Sequence, residues 1–460
     1  MERDNFITTE SDIKPKLKTY ASNAYKQSLI APELYEQHDT KRGLRDINGK
    51  GVVVGLTNIS AINSKKEING EMVPIDGELF YRGYSIDDIV KGFVSEKRFG
   101  FEETTYLLIF GKLPTDKQLQ EFNSVLGGYR SLPLSFVRDV IMKRPSLDMM
   151  NVLARGVLTL YAYDDNPDNI SVENVLKQSL KLISRFPLLS VYGYQVYKHY
   201  FDDGTLIIHQ PDPSLSTAEN ILHLLRPNQN YTSLEAKLLD LCLVLHAEHG
   251  GGNNSTFTNH VVTSTGTDTY SAISASLGSL KGPRHGGANV RVVQMMNDIK
   301  ENINTKSEDA LKDYLSKILD KKAFDNTGLI YGMGHAIYTK SDPRARILKS
   351  FAKQLAEEKG LQEEYDLYKR VERISLEIIP EKRKIYKGVC SNVDFYSGFI
   401  YKMLDIPIEL YTPLFAVSRI SGWTAHRIEE LSNAGKIIRP AYDAVCPTQK
   451  YKKIKDRKQS

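Results

Sequence analysis

The chain has 460 residues, 41% hydrophobic and 25% charged, with a formal net charge of +5 at pH 7. That length exceeds the usual size of one core, so a large body with a smaller one is expected, and the composition excludes a low-complexity or disordered protein. The charge excess is local: residues 450–458 hold six basic residues and one acid, which reads as a solvated tail and not as a nucleic-acid-binding face.

In chain order, residues 1–45 are polar with scattered aromatics and read as one or two peripheral helices. Val52-Val53-Val54 and Leu79-Phe80-Tyr81 read as short strands with Asp76-Gly77 as the turn between them. Ser85 opens a helix carrying Ile86, Ile89, Val90 and Phe93 on one face. Gly111 ends another, and Thr115 with Gln118 forms a capping box for the next. Ser216 and Glu219 repeat the device ahead of Ile221, Leu222 and Leu225. Residues 234–249 are nearly all apolar until His246-Ala247-Glu248-His249, a central helix delivering two histidines at its C-terminal end. No apolar run approaches the roughly 18 residues of a membrane span; the densest, Leu238 to Leu245, is broken by Asp240.

A Pro/Gly joint follows, Gly282-Pro283-Arg284-His285-Gly286-Gly287-Ala288-Asn289, then a helix with Val292, Met295, Met296 and Ile299 on one side. His285 is placed at a helix entrance, where free N–H groups and the dipole disfavour a second positive charge. An imidazole held there stays neutral at pH 7 and donates a hydrogen bond without being an acid. Taken alone, the joint reads first as a helix cap with a satisfied histidine. Leu311, Tyr314, Leu315 and Ile318 mark a further amphipathic helix. The expected class is mainly α, built by helix-on-helix packing with small hairpins near the N-terminus. Long linkers are absent, so a second domain arises by excursion of the chain.

The residues that could carry chemistry are scattered. His249, His285 and His335 lie in Gly-rich or helix-terminal settings, as does His246; Asp394 stands in an apolar frame. Arg344 follows Asp342-Pro343, Arg419 lies in an apolar helix, and Arg439 precedes Pro440. Arginines in apolar stretches need anionic partners, and these together with the histidines imply a buried site for a carboxylic acid carrying several charges. A metal site on His246, His249 and His260 is the rival reading, but no Glu takes the second position of a His-Glu-x-x-His helix and no cysteine assists. The three cysteines, Cys242, Cys390 and Cys446, are too scattered for a disulfide framework, and Met1-Glu2-Arg3-Asp4 opens no secretory signal; a reducing cytoplasm is expected.

Tyr81-Arg82-Gly83-Tyr84, Leu245-His246-Ala247-Glu248-His249, the 282–289 joint, Gly332-x-Gly334-His335, Asp342-Pro343-Arg344, Asn392-Val393-Asp394 and Arg419-x-x-Gly422-Trp423 occur in an order that resembles the citrate synthase family. The resemblance implies a large helical domain (1–287 and 400–460, with the basic tail) and a small helical domain (288–399) closing over a cleft. It implies condensation of acetyl-CoA with oxaloacetate, as in the tricarboxylic acid cycle, or of propionyl-CoA in the 2-methylcitrate synthase relative. Asp394 would be the base, His285 the donor to the thioester oxygen, and His335 the group polarising the ketone. His249, Arg344 and Arg419 would bind oxaloacetate, with Arg439 reaching the site of the partner in a homodimer. No permanent cofactor, metal, nucleic acid or membrane partner is implied. The segment around 336–339 lacks an arginine for the CoA phosphates, leaving Lys340, or Lys382, Arg383 and Lys384, for that duty.

Overall fold

The computed structural model describes residues 10–46, 51–384, 388–433 and 435–457. They fall into two compact units, Met1–Leu56 with Arg439–Ser460, and Thr57–Ile438. The first unit contains α1 (Glu10–Gln27) and α2 (Pro32–Gln37), as expected for this polar stretch. His38 Nδ1 meets Asp443 Oδ2 at 3.0 Å within it. Val52-Val53-Val54 form no strand: they lie exposed (Val53 at 79%), with Val52 N–H bonded to Leu44 O at 2.9 Å but no ladder beyond it, so their β-branched side chains have no pleated surface to pack on.

The second unit opens with an antiparallel hairpin, β1 (Ser60–Ile68) and β2 (Glu71–Tyr81), to which the short β3 (Tyr84–Ser85) adds. Its turn is Asn69-Gly70, with φ of 55° and 83°, the backbone that a two-residue hairpin loop demands. Asp76-Gly77, expected as the turn, instead lies inside β2. Gly77 serves a close approach: its N–H donates to Ser341 O at 3.1 Å, and a Cβ there would collide with Ser341 and the Tyr338 ring.

The other regular elements described in this unit are helices. α3 (Ile86–Ser95) buries Ile86, Ile89, Val90 and Phe93, and α4 (Phe101–Phe110) stops at Gly111 in the left-handed region. α5 (Asp116–Gly128) begins with the Thr115/Gln118 capping box; α6 (Met149–Leu160) and the long α7 (Val172–Phe201) follow. α8 (Thr217–Leu225) carries the Ser216/Glu219 box, and α9 (Ser233–His246) is buried along nearly its whole length. Then come α10 (Asn254–Thr263), α11 (Thr269–Lys281), α12 (Ala288–Asn302) and α13 (Glu308–Leu319). The chain closes with α14 (Pro343–Lys359), α15 (Gln362–Arg383), α16 (Val393–Met403) and α17 (Tyr411–Ser432).

α17 is the axis of the core. It packs on α4, α7, α9 and α10, and a helix surrounded in this way is expected to be largely apolar; its fully buried titratable residues, Arg419, His426 and Arg427, need specific partners. α16 lies between α12 and α14. Gly398 lets α16 approach α12 closely, since a Cβ there would stand 2.9 Å from Asn289 O. That contact holds the start of α12, just after His285, against the helix whose first turn carries Asp394. No helix among the described residues is long and apolar enough to cross a membrane.

Candidate active site

Two glycine-punctuated loops are stapled together. Gly334 N–H donates to Cys390 O at 2.7 Å, Asn392 N–H to Gly332 O at 2.9 Å, and Asn392 Nδ2 to Gly334 O at 2.9 Å. Gly332 (φ 78°) has no room for a side chain, because a Cβ would press on Phe395 and Val292. Asn392 also caps α16, its side chain accepting Asp394 N–H at 3.0 Å. Asp394 is thereby fixed one residue into the helix, and its loop is tied to the one carrying His335. Its Oδ1 is buried without a hydrogen-bond partner. Burial pushes its carboxyl up to about 6, while Arg344 and Arg419 oppose the rise and Asp342 adds to it.

His335 Nδ1 accepts the N–H groups of Ile337 and Tyr338, both at 3.1 Å. A nitrogen accepting two N–H bonds carries no proton, so the ring proton sits on Nε2 and that atom is the donor. The ring stacks on Tyr338 (4.7 Å) and meets His249 edge-on (5.2 Å). His249 follows the end of α9, fully enclosed, with Nε2 lacking a hydrogen-bond partner. Burial and then the positive field of Arg344 hold it well below the usual histidine range, so it is neutral. The Tyr81 hydroxyl, between the carbonyls of Val244 (3.1 Å) and Glu248 (3.0 Å), pins this helix end to β2.

The two cations differ in what they already hold. Arg344 bonds Asp342 through Nε (3.0 Å) and Nη2 (2.8 Å), and Asp342 also caps α14. Burial works against the Arg344 charge, and Asp342 more than offsets it. Arg419 donates only through Nε, to His246 O at 2.7 Å; Nη1 and Nη2 are buried without acceptors. Burial lowers its pKa to about 10, with Glu248 resisting. A buried guanidinium edge with two free donors is an anion site waiting for its ligand.

His285 lies in the turn before α12, its N–H donating to Gly282 O at 2.8 Å. Nε2 accepts Ser255 N–H (3.4 Å) and lies 3.0 Å from Ser255 Oγ, which in turn accepts Trp423 Nε1–H (3.3 Å). Its pKa is lowered to about 4, as the sequence reading required, but the cause is burial first and Arg419 second, not the helix dipole. Arg419 also acts on Asp394 and His249, so one charge ties these groups into a single electrostatic neighbourhood.

Residues 44–441 match the family described as citrate synthase, C-terminal domain. The chain belongs to the citrate synthase family. It is 35% identical to a citrate synthase of Synechocystis sp., over 84% of this chain and 89% of that protein. It is 32% identical to 2-methylcitrate synthase 1 of Corynebacterium glutamicum, over 86% of this chain and 94% of that one. Among solved structures, citrate synthase from Thermotoga maritima superposes with a TM-score of 0.69 at 31% identity, covering 89% of this chain and 98% of that one. The Thermoplasma acidophilum citrate synthase, a ternary complex with carboxymethyl coenzyme A and oxaloacetate, gives 0.73 at 28% identity, covering 91% and 99%.

Within this citrate synthase family member the remaining sequence candidates divide. Arg439 belongs to the first compact unit, whereas every other site candidate lies in the second. His246 donates Nδ1–H to Cys242 O at 2.8 Å and faces Phe415, a structural setting. The three histidines of the metal reading do not converge: His260 turns to Glu430 and His426, and among the described residues no group of three or more His, Cys, Asp or Glu could hold an ion. Lys382 is bound to Asp320 and Arg383 to Leu319 O and Gly328 O. The sequence reading passed over Asp342, Glu248 and Ser255. Asp342 was legible as an N-cap ahead of proline; Ser255 was not, because its role depends on the α10 to 285 contact alone.

Proposed function

We propose that this enzyme condenses an acyl-CoA with oxaloacetate and water, releasing CoA, with acetyl-CoA as the acyl donor and citrate as the product. The observation that carries the reading is the convergence of a poised carboxyl (Asp394), neutral imidazoles (His249, His285, His335) and a guanidinium with free donors (Arg419) in one buried neighbourhood. Asp394 takes a proton from the methyl group of the thioester. His285, neutral, donates a hydrogen bond to the thioester oxygen as the enolate develops. The carbon then attacks the ketone of oxaloacetate, whose oxygen His335 polarises through Nε2–H. His249, Arg344 and Arg419 hold the two carboxylates, and Arg439 of a second copy completes the set in a homodimer. Water hydrolyses the resulting thioester, and neither a metal nor a bound cofactor enters the scheme.

An enolate needs a dry site. Residues 288–399 act as the small domain that closes on the remainder, with His285 and Asp394 beside its two crossings, so oxaloacetate binds first and closure follows. Of the basic candidates for the CoA phosphates, Lys340 and Lys384 remain, since Lys382 and Arg383 are engaged elsewhere. A second reading, 2-methylcitrate synthesis from propionyl-CoA, is favoured by relatives of that name at 32% and 34% identity. One methyl group is worth only about 1–3 kcal/mol of discrimination. Comparing kcat/KM for the two thioesters, with citrate and methylcitrate quantified as products, decides between them. No CoA release from either would overturn the reading.

A further inference from the structure

Beside His249 in the chain, Glu248 begins a row of four titratable side chains that runs to the half-buried Glu430. Glu248 Oε1 lies 3.0 Å from His426 Nε2, His426 Nδ1 lies 3.1 Å from His260 Nε2, and His260 Nδ1 lies 2.8 Å from Glu430 Oε2. Both outer contacts end on carboxylate oxygens, so His426 Nε2 and His260 Nδ1 each carry a proton. Glu248 Oε1 is committed as an acceptor, because Ser60 Oγ (2.9 Å) and Gly250 N–H (2.5 Å) also donate to it. The central contact joins two ring nitrogens and needs one proton between them. Two neutral rings cannot supply it, since each has already spent its proton on a carboxylate.

We propose that His260 and His426 hold three protons on their four ring nitrogens, a single positive charge shared by the two rings, and that this charge keeps Glu248 ionised and in place beside the substrate pocket. Burial first and the neighbouring His426 second push the His260 pKa down, while Glu430 and Glu429 hold it up, so the two carboxylates are what support the shared charge. The surroundings carry both signs. Glu429 Oε2 is 3.9 Å from His426 Nδ1; Arg82 faces Glu429, Arg419 faces Glu248, and Arg427 on the same helix is turned to Thr263 Oγ1 and Thr267 O. Charge therefore alternates inward: Glu430 negative, the ring pair positive, Glu248 negative, Arg419 positive, then the ligand's carboxylate. His260 and His426 are positioning residues in this scheme.

The test uses the full chain with ring-nitrogen-labelled histidine, read by proton–nitrogen correlation at neutral pH, with His260→Gln and His426→Gln assigning the signals. Three protonated nitrogens among the four are expected; two, meaning neutral rings, or four, meaning two imidazolium ions, would overturn the proposal. A consequence that rests on the proposed reaction is that His260→Gln raises KM for oxaloacetate several-fold while kcat changes less. The nitrogen count stands or falls independently of that reaction, so the two failures are distinguishable.

Discussion

Asp342 grips Arg344 along one edge of the guanidinium, through Nε and Nη2, in a pair whose side chains are 0% and 4% exposed. Arg344 consequently enters the site already neutralised, whereas Arg419, only partly answered by Glu248, has two unspent donors. An incoming carboxylate gains most from Arg419. Replacing it by lysine keeps a cation but loses the fork. Charge-assisted hydrogen bonds contribute about 1.5–3 kcal/mol each, so Arg419→Lys is expected to raise KM for oxaloacetate about tenfold to a hundredfold in steady-state kinetics.

The same pair gives a stability test. Asp342→Asn leaves Arg344 charged, buried and unpaired, a change that typically costs about 3–5 kcal/mol. Denaturant unfolding is the measurement, and a loss under about 1 kcal/mol would mean that the pair is replaceable by solvent or by repacking.

Asp394 trades stability for reactivity. Its folded pKa, about 6, lies above the ordinary aspartate value of 3.8, so the ionised form is disfavoured in the folded state. The group's contribution is fully present below pH 3.8 and is lost as pH rises through about 6. At neutral pH the penalty is at most about 3 kcal/mol. Asp394→Asn is therefore expected to melt higher than the native protein at pH 7 while losing turnover. On the acid side, kcat/KM falls with unit slope below pH 6, as the base is protonated.

His285→Ala removes a donor to developing charge and is expected to lower kcat by about 10²–10³ with little change in KM for oxaloacetate. With a pKa of about 4, His285 contributes no limb to the pH–rate profile between 5 and 8. A limb that disappears in His285→Ala would show that it titrates there.

Local signals in the sequence served well where local physics decides the outcome. The capping boxes at Thr115 and Ser216, the left-handed stop at Gly111 and the apolar faces of α3, α12 and α13 all formed as read, since each is settled within one turn of helix. The β signals misled. Val52-Val53-Val54 had the right side chains but no partner strand, and Gly77 proved to be needed by Ser341, 264 residues away. The same limit governed the site. Asp394, His285, His335 and the arginines were visible through ordered motifs, but the neutrality of His285 comes from burial and Arg419, and the ring pair of His260 and His426 is assembled across 166 residues. Neither has a signature within a short window.

The most direct test is release of CoA thiol from acetyl-CoA with oxaloacetate present, compared between the native enzyme and Asp394→Asn of verified fold. The expected result is rapid, oxaloacetate-dependent release by the native enzyme and a loss of about 10²–10⁴ in the variant, the range for removing a general base. Release by Asp394→Asn at close to the native rate, or native release that ignores oxaloacetate, would contradict a carbon nucleophile made by Asp394.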